Sequence, residues 1–157
     1  MPQFIKDYFW VFFISMLPLV ELRGAVPVGV ASGLPFWTTY FIAVLGNMLP
    51  VPFILFLVKP VLLLMQKVKI FNKLATFFLE KGHKAGAKFG EAKYWALFLF
   101  VAIPMPGTGA WTGALAAALL DLDKGKSLLA ILGGVLGAGL IMGIASFGVL
   151  GAIGIVI

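Results

Sequence analysis

The sequence predicts an all-α integral membrane protein that is built as an inverted structural repeat. Each half is expected to hold a re-entrant helical hairpin followed by a transmembrane helix, with an interfacial amphipathic helix between the halves. Three observations support this prediction. The 157 residues are 62% hydrophobic and only 11% charged, the apolar runs suit short helices as well as full spans, and the second half repeats the order of the first. A soluble domain carries about 25% charged residues, so we expect a single membrane domain over residues 1–157.

The first two uncharged runs do not have the length of simple membrane spans. They cover residues 8–20 and 24–58, whereas a spanning helix needs about 20 apolar residues. The first run is therefore too short to cross a bilayer by itself, and the second is too long to be one span. Gly33-Leu34-Pro35 interrupts the second run with residues that are typical of turns.

We therefore expect the first repeat to cover about residues 7–60. Its re-entrant hairpin is predicted over residues 8–34, with two half-length helices joined at the sequence LVELRGAVP. Its transmembrane helix is predicted over residues 36–58, and Lys59-Pro60 is expected to end that helix.

A lysine-rich segment separates the halves over residues 61–93. Residues 61–80 mix Leu, Phe and Lys at helical spacing, which is typical of an amphipathic helix at a membrane surface. The lysines of the segment are Lys67, Lys69, Lys73, Lys81, Lys84, Lys88 and Lys93, and only Glu80 and Glu91 oppose them. A positive block beside membrane spans favours the cytoplasmic side, so we expect the loop over residues 66–93 in the cytoplasm and both termini outside. The net charge of +6 thus indicates orientation in a bilayer and not binding to nucleic acid.

The second repeat is predicted over about residues 94–157. Its hairpin covers residues 94–120 and is broken at PMPGTG, and its span covers residues 127–157. Individual residues support the repeat, because AVLGNML in the first span resembles AILGGVL in the last. A similar offset aligns Tyr8 with Tyr94, Phe12 with Phe98 and Pro18 with Pro104.

An odd number of crossings in each half would invert the second copy relative to the first. The two hairpins would then enter from opposite faces, and their broken tips would meet near the middle of the membrane. Many transporters place their substrate sites there, because non-helical backbone at that depth must be buried in protein or line a wet cavity.

Glu21 and Arg23 lie at the tip of the first hairpin, where ionisable groups are costly and usually functional. Arg23 suits the phosphate or carboxylate of a substrate, because its planar guanidinium binds both oxygens and stays charged. Glu21 is expected to take up and release the coupling proton. Two structural alternatives stay open: an ion pair that only pins the tip, or an ordinary span over residues 8–27 with both charges at an interface. The expected helix-breaking or pathway-lining residues are Pro18, Gly24 and Pro27.

The tip of the second hairpin carries no charge, but its sequence is suited to anion binding. Its glycines let main-chain N–H groups face a ligand, and a helix that begins near Ala110 would direct its positive end at the tip. The expected substrate-binding residues here are Gly107, Thr108, Gly109, Trp111 and Thr112, with Pro104 and Pro106 as helix breaks. The alternative is a glycine-rich break that only lets helices pack.

Asn47 lies in the middle of the first long span and is expected either to hydrogen-bond across helices or to line the pathway. In the last span, Gly133-xxx-Gly137 and Gly139-xxx-Gly143 fit close helix packing, either within the chain or in a homodimer. The chain has no cysteine and one histidine, so neither a metal site nor another cofactor is expected. It also lacks HExxH and the residues for a Ser-His-Asp set, so we do not expect an enzyme.

The motifs ELRGAVP and PMPGTGAWTGALAA resemble those of the small multidrug export family of bacterial and archaeal membrane proteins, and the resemblance covers nearly the whole chain. The double-hairpin plan is similar, more distantly, to the DedA/VTT superfamily, whose members are implicated in moving lipids such as undecaprenyl phosphate. The resemblance implies a multi-pass protein of the plasma (inner) membrane, with Glu21, Arg23 and residues 104–112 as its working residues. The chain differs from the DedA pattern in being shorter and in lacking a charge in the second hairpin.

These observations together predict a proton-coupled transporter or flippase for an amphipathic anion such as a lipid-linked phosphate, with the lipid bilayer and protons as its partners. Two alternatives stay open. One is a small exporter of cationic drugs with Glu21 as the counter-charge, although Arg23 would repel a cation. The other is a non-transporting membrane scaffold or interaction protein, in which Glu21 and Arg23 form a structural pair.

Overall fold

The computed structural model describes residues 3–88, 90–105 and 107–152, and this part of the chain is helical without any strand. Its helices are α1 (Gln3–Met16), α2 (Glu21–Ala31), α3 (Phe36–Met48), α4 (Pro50–Gln66), α5 (Asn72–Lys88), α6 (Ala92–Ala102), α7 (Ala110–Leu119) and α8 (Lys124–Ala152). The predicted all-α class is thereby confirmed. Pro106 and the end of the predicted span 127–157 lie outside the described residues.

Within the described residues, two stretches of helix are long and apolar enough to cross a membrane. Helices α3 and α4 follow each other directly and form a stretch of 31 residues over Phe36–Gln66, and α8 supplies 26 residues over Lys124–Val149. Large apolar side chains also face outward, and Trp10, Trp37, Trp95 and Ile144 are more than 60% exposed. Such an apolar surface is unusual for a soluble protein, which supports the membrane class.

The first long helix extends further than the sequence indicated. Instead of ending at Lys59-Pro60, α4 continues through Pro60 to Gln66. The Lys59 ammonium lies 2.7 Å from an oxygen of Asp121, so the charge has a partner at the helix surface and does not terminate the helix. The amphipathic helix is correspondingly later than the predicted residues 61–80, because a turn precedes α5 and the Asn72 amide donates to the carbonyl of Gln66 at 2.6 Å.

The first break is shorter and earlier than the predicted LVELRGAVP. Helix α1 ends at Met16 and α2 begins at Glu21, so the first break consists of residues 17–20 and contains Pro18. Gly24 and Pro27 lie inside α2 and do not break the helix. The chain turns because Glu21 adopts a left-handed backbone with φ of 53°, a conformation that is uncommon for residues other than glycine.

In each half, the long helix crosses the first arm of the hairpin at a glycine. A Cβ on Gly46 would overlap Ser15 of α1, and a Cβ on Gly134 would come within 2.6 Å of the Val101 side chain of α6. Each glycine also lies over the carbonyl of a phenylalanine, Phe12 or Phe98, the pair that the sequence repeat aligned. The crossings of α1 with α3 and of α6 with α8 are therefore built in the same way.

The second arms of the hairpins, α2 and α7, each pack on helices of both halves. Helix α2 packs on α8 as well as α3, and α7 packs on α4 and α8, so the core contains helices from both halves. The glycines of the two predicted packing motifs in α8 contact Phe98 and Ala102 of α6 or Tyr40 and Phe36 of α3. These motifs therefore serve packing within the chain.

Candidate functional site

The second break, residues 103–109, separates α6 from α7, and its described residues bond to one another. Ile103 is extended, with ψ of 118°, and Gly107 and Gly109 have φ of 82° and 149°. With ψ of −171°, Gly109 occupies a region that is essentially restricted to glycine. The Thr108 hydroxyl lies 2.9 Å from the carbonyl oxygens of both Ile103 and Met105, which closes the loop.

The Glu21 carboxylate reaches from α2 to the second break and binds the start of α7. It is only 4% exposed, and it accepts hydrogen bonds from the backbone N–H groups of Ala110 and Trp111, both at 3.2 Å. These N–H groups lie in the first turn of α7, where they have no partner within the helix. Gly109 makes this approach possible, because a Cβ at that position would overlap the carboxylate. Glu21 is thus an N-terminal cap of α7 that comes from the other half of the chain.

The Arg23 guanidinium binds the other side of the same break. Its Nη2 donates to the Thr108 hydroxyl at 2.8 Å and to the Ile103 carbonyl at 3.3 Å, and its Nη1 donates to the Met105 carbonyl. Nη2 also lies 3.5 Å from the carbonyl of Val101 in the last turn of α6. A cation at the carboxyl end of a helix is stabilised by the helix dipole, as an anion is at the amino end.

Glu21 and Arg23 therefore bind opposite helix ends rather than each other. Among the ion pairs of the described residues, none joins these two side chains, and those found include Lys59–Asp121 and Lys126–Glu91. Both charges lie at the start of α2 and contact the glycine-rich second break. The alternative of a direct ion pair does not agree with this geometry, because each charge is balanced by backbone groups of the second hairpin.

Trp111 also connects the two breaks. Its indole Nε1 donates to the carbonyl of Met16 at 2.9 Å, the last residue of α1. The Thr112 hydroxyl lies 3.3 Å from the carbonyl oxygen of Gly109, at the start of α7. Gly107 and Pro104 are exposed, and a Cβ on Gly107 would meet nothing within 4 Å.

Asn47 lies beside the site, on α3. It is 3% exposed, and its Oδ1 has no hydrogen-bond partner. Together with Glu21 and Arg23 it lines a small internal void that does not admit a water molecule. Sequence reasoning placed Asn47 in the long span but did not place it against the two charges.

A larger apolar groove opens between α6 and α7, away from the two charges. Its volume is about 410 Å³ and its lining is apolar except for Lys93, the other lining residues being Ala92, Ala96, Leu97, Phe100, Ala116, Ala117, Leu120 and Leu122. The groove contains none of the residues that sequence reasoning selected. Among the described residues there is no group of three or more His, Asp or Glu side chains that could hold a metal ion.

Comparison with known families gives one match. The sequence model of the family described as "Putative small multi-drug export protein" matches residues 21–141, a range that contains Glu21, Arg23 and the whole second break. No curated protein and no solved structure matches the chain. The likeness to the DedA/VTT superfamily therefore stays a prediction from the sequence.

Proposed function

The chain belongs to the small multi-drug export family, and we propose that it is a proton-coupled transporter or flippase for an amphipathic anion such as a lipid-linked phosphate. The observation that supports this proposal most directly is the Glu21 carboxylate on the amino end of α7. That helix end already binds an anion, which comes from the chain itself. Helix amino ends also bind phosphates, by the same N–H groups and the same dipole.

The proton role of Glu21 follows from this competition. An ionised Glu21 occupies the N–H groups of Ala110 and Trp111, so an anionic substrate has to displace it. When Glu21 takes up a proton, it loses its charge and most of its attraction to the helix end. Proton uptake therefore makes these N–H groups available to the substrate, and proton release expels the substrate again.

Arg23 is proposed as the second group that binds the substrate anion. In the described arrangement its donors are used by Thr108 and by carbonyl groups at the end of α6. A phosphate would replace these carbonyl groups with a bidentate, charge-assisted partner. Because the void beside the two charges does not admit water, we propose that binding requires α6 and α7 to separate at the second break.

The groove between α6 and α7 supports an amphipathic substrate. Its lining includes Lys93, Leu97 and Ala117. Leu97 lies one helical turn before Val101 on α6, and both side chains pack near Gly113 of α7. An apolar chain would fit this lining, whereas a small hydrophilic anion would gain nothing from it.

The matching crossings in the two halves support an inverted repeat with two re-entrant hairpins. In this arrangement α1–α2 enters from the outside and α6–α7 from the cytoplasm, where the lysine-rich helix α5 lies. In this proposal the first and second breaks meet near the middle of the membrane, and the bonds from Glu21 and Trp111 support their proximity.

Purified protein reconstituted into liposomes tests the transport proposal. Transbilayer movement of a fluorescent polyprenyl phosphate is followed with and without a pH gradient, for the wild type, Glu21→Gln and Arg23→Ala. Lys59→Gln is the control, because it removes a partly exposed charge that pairs with Asp121, beyond the carboxyl end of α7. We expect movement that Arg23→Ala abolishes and that loses its gradient dependence in Glu21→Gln. Wild-type vesicles that behave like empty liposomes would overturn the proposal.

The family description favours one other candidate, the export of cationic drugs with Glu21 as the counter-charge. The same vesicles decide between the two functions when they are loaded with a fluorescent lipophilic cation. Cation movement that requires Glu21, together with an immobile polyprenyl phosphate, would favour drug export. If folded variants and wild type move neither probe, Glu21 and Arg23 are structural caps and the scaffold alternative is favoured.

A further inference from the structure

Asn47 has an unsatisfied hydrogen-bond acceptor that the proposed function does not explain. The residue lies in the apolar helix α3 and is almost completely buried, yet its Oδ1 has no donor. A buried carbonyl oxygen without a donor destabilises a protein. Natural structures have few such groups, and each one calls for a physical explanation.

The surroundings of Asn47 limit what could supply the missing donor. The void that it shares with Glu21 and Arg23 is otherwise lined by Leu22, Val101, Gly109, Ala110, Val135 and Ala138. Helices α6, α7 and α8 thus contribute only apolar side chains to this void, and the second break contributes Gly109. No water fits inside it, and Arg23 directs its donors to the end of α6.

Glu21 is the one side chain at the void that can change from acceptor to donor. An ionised carboxylate only accepts hydrogen bonds, whereas a protonated one carries an O–H donor. Among the residues that line the void, the titratable groups are Glu21 and Arg23. Tyr40, the buried tyrosine of α3, donates its hydroxyl to the carbonyl of Leu136.

We propose that Asn47 is the hydrogen-bond acceptor for protonated Glu21. The carboxyl O–H donates to Asn47 Oδ1, and the side chain moves from the amino end of α7 towards α3. This inference rests on the proposed function, because it requires Glu21 to take up a proton. Asn47 is a positioning residue: it gives the protonated side chain a partner away from α7 and so keeps the N–H groups of Ala110 and Trp111 free for the substrate.

Infrared difference spectroscopy of the reconstituted protein tests this inference. Acidification should produce a C=O stretching band of a protonated carboxyl group, and Glu21→Gln should remove that band. Asn47→Leu has a similar volume but no acceptor, and it should move the Glu21 band to higher wavenumber because a hydrogen bond is lost. Asn47→Val is a second variant without an acceptor in case the leucine disturbs folding.

Thr39→Val is the matched control. Thr39 is also fully buried on α3 and its Oγ1 also lacks a partner, but it does not line the void. Its substitution should leave the Glu21 band in place. In the transport assay, Asn47→Leu should reduce gradient-driven movement about fivefold, the value of one lost hydrogen bond, and Thr39→Val should not.

The outcomes separate this inference from the proposed function. A Glu21 band that both Asn47 variants leave unchanged would overturn the role of Asn47 while the proton role of Glu21 stands. If acidification produces no carboxyl band that depends on Glu21, both the role of Asn47 and the proton role of Glu21 are overturned. A band that shifts in the Asn47 variants and not in Thr39→Val would establish the hydrogen bond.

Discussion

Glu21 and Arg23, two residues apart on α2, bind opposite ends of the same helix break. The carboxylate accepts two N–H groups at the start of α7, and the guanidinium donates to carbonyl groups at the end of α6. Each charge lies where the helix dipole is complementary to it. This relationship explains how an apolar chain can hold a buried acid and a half-buried base without a direct ion pair between them.

Gly109→Ala should disrupt the approach of Glu21 to α7. A Cβ would overlap the carboxylate, and the backbone of Gly109 is in a region that alanine does not tolerate. We expect a loss of about 3 kcal/mol in the free energy of unfolding, measured by thermal unfolding in detergent. Gly107→Ala is the control, since it also has a positive φ but open space around it, and it should cost about 1–2 kcal/mol. Equal losses for the two variants would contradict the contact with Glu21.

Arg23→Met should destabilise the second break. The substitution keeps an apolar stem of similar length but removes the charge-assisted hydrogen bonds to the Thr108 hydroxyl and to the carbonyl groups of Ile103 and Met105, at a cost of about 2–3 kcal/mol. Thr108→Val removes only the hydroxyl that accepts from Arg23 and should cost about 1 kcal/mol. Chemical denaturation of the purified variants measures both. Wild-type stability in Arg23→Met would show that these hydrogen bonds contribute nothing.

An alanine in place of the glycine at either helix crossing should lower the stability of the protein by a similar amount. Gly46→Ala and Gly134→Ala place a Cβ against the first hairpin arm of their own half, and overpacking of this kind costs about 1–3 kcal/mol. Gly148→Ala meets nothing within 4 Å, so it should be neutral or slightly stabilising, because alanine is the better helix former. A thermal unfolding series of the three variants is the measurement. Destabilisation by only one of the first two would contradict the equivalence of the crossings.

The re-entrant arrangement predicts which residues share a side of the membrane. The chain contains no cysteine, so the labelling of a single introduced cysteine has no background from native thiols. Lys6→Cys and Ser32→Cys should react with an impermeant thiol reagent from the outside, and Lys81→Cys only after the cytoplasmic face is opened. Leu19→Cys, in the first break, should react from neither side. Opposite sides for positions 6 and 32 would mean that α1–α2 crosses the membrane as an ordinary span.

The sequence predicted the helical class and the residues of the site better than the limits of the helices. Charge in an apolar context identified Glu21 and Arg23, and the proline and glycine content identified the second break. Pro27 and Pro60 were misleading, because a proline marks a helix end only when the rest of the helix cannot compensate for one lost hydrogen bond. The structure accommodates both prolines within helices.

The partners of the two charges could not be predicted from residue types. Glu21 and Arg23 bind mostly backbone groups, of Ala110, Trp111, Ile103 and Met105, and every residue has such groups. The two charges come close to these backbone groups only because of how α2 packs beside the second break. The missing hydrogen-bond donor of Asn47 could not be predicted either, because it depends on how α3 packs against α2.

Substrate binding at two pH values tests the central claim most directly, namely that Glu21 competes with an anion for the amino end of α7. The affinity of the purified protein for a short-chain polyprenyl phosphate is measured at pH 8 and at pH 6 for the wild type and for Glu21→Gln. Any titration of the phosphate itself affects both proteins equally. We predict that wild-type binding tightens as the pH falls, and that Glu21→Gln binds tightly at both values. Weaker binding by Glu21→Gln than by the wild type at pH 8 would contradict the account.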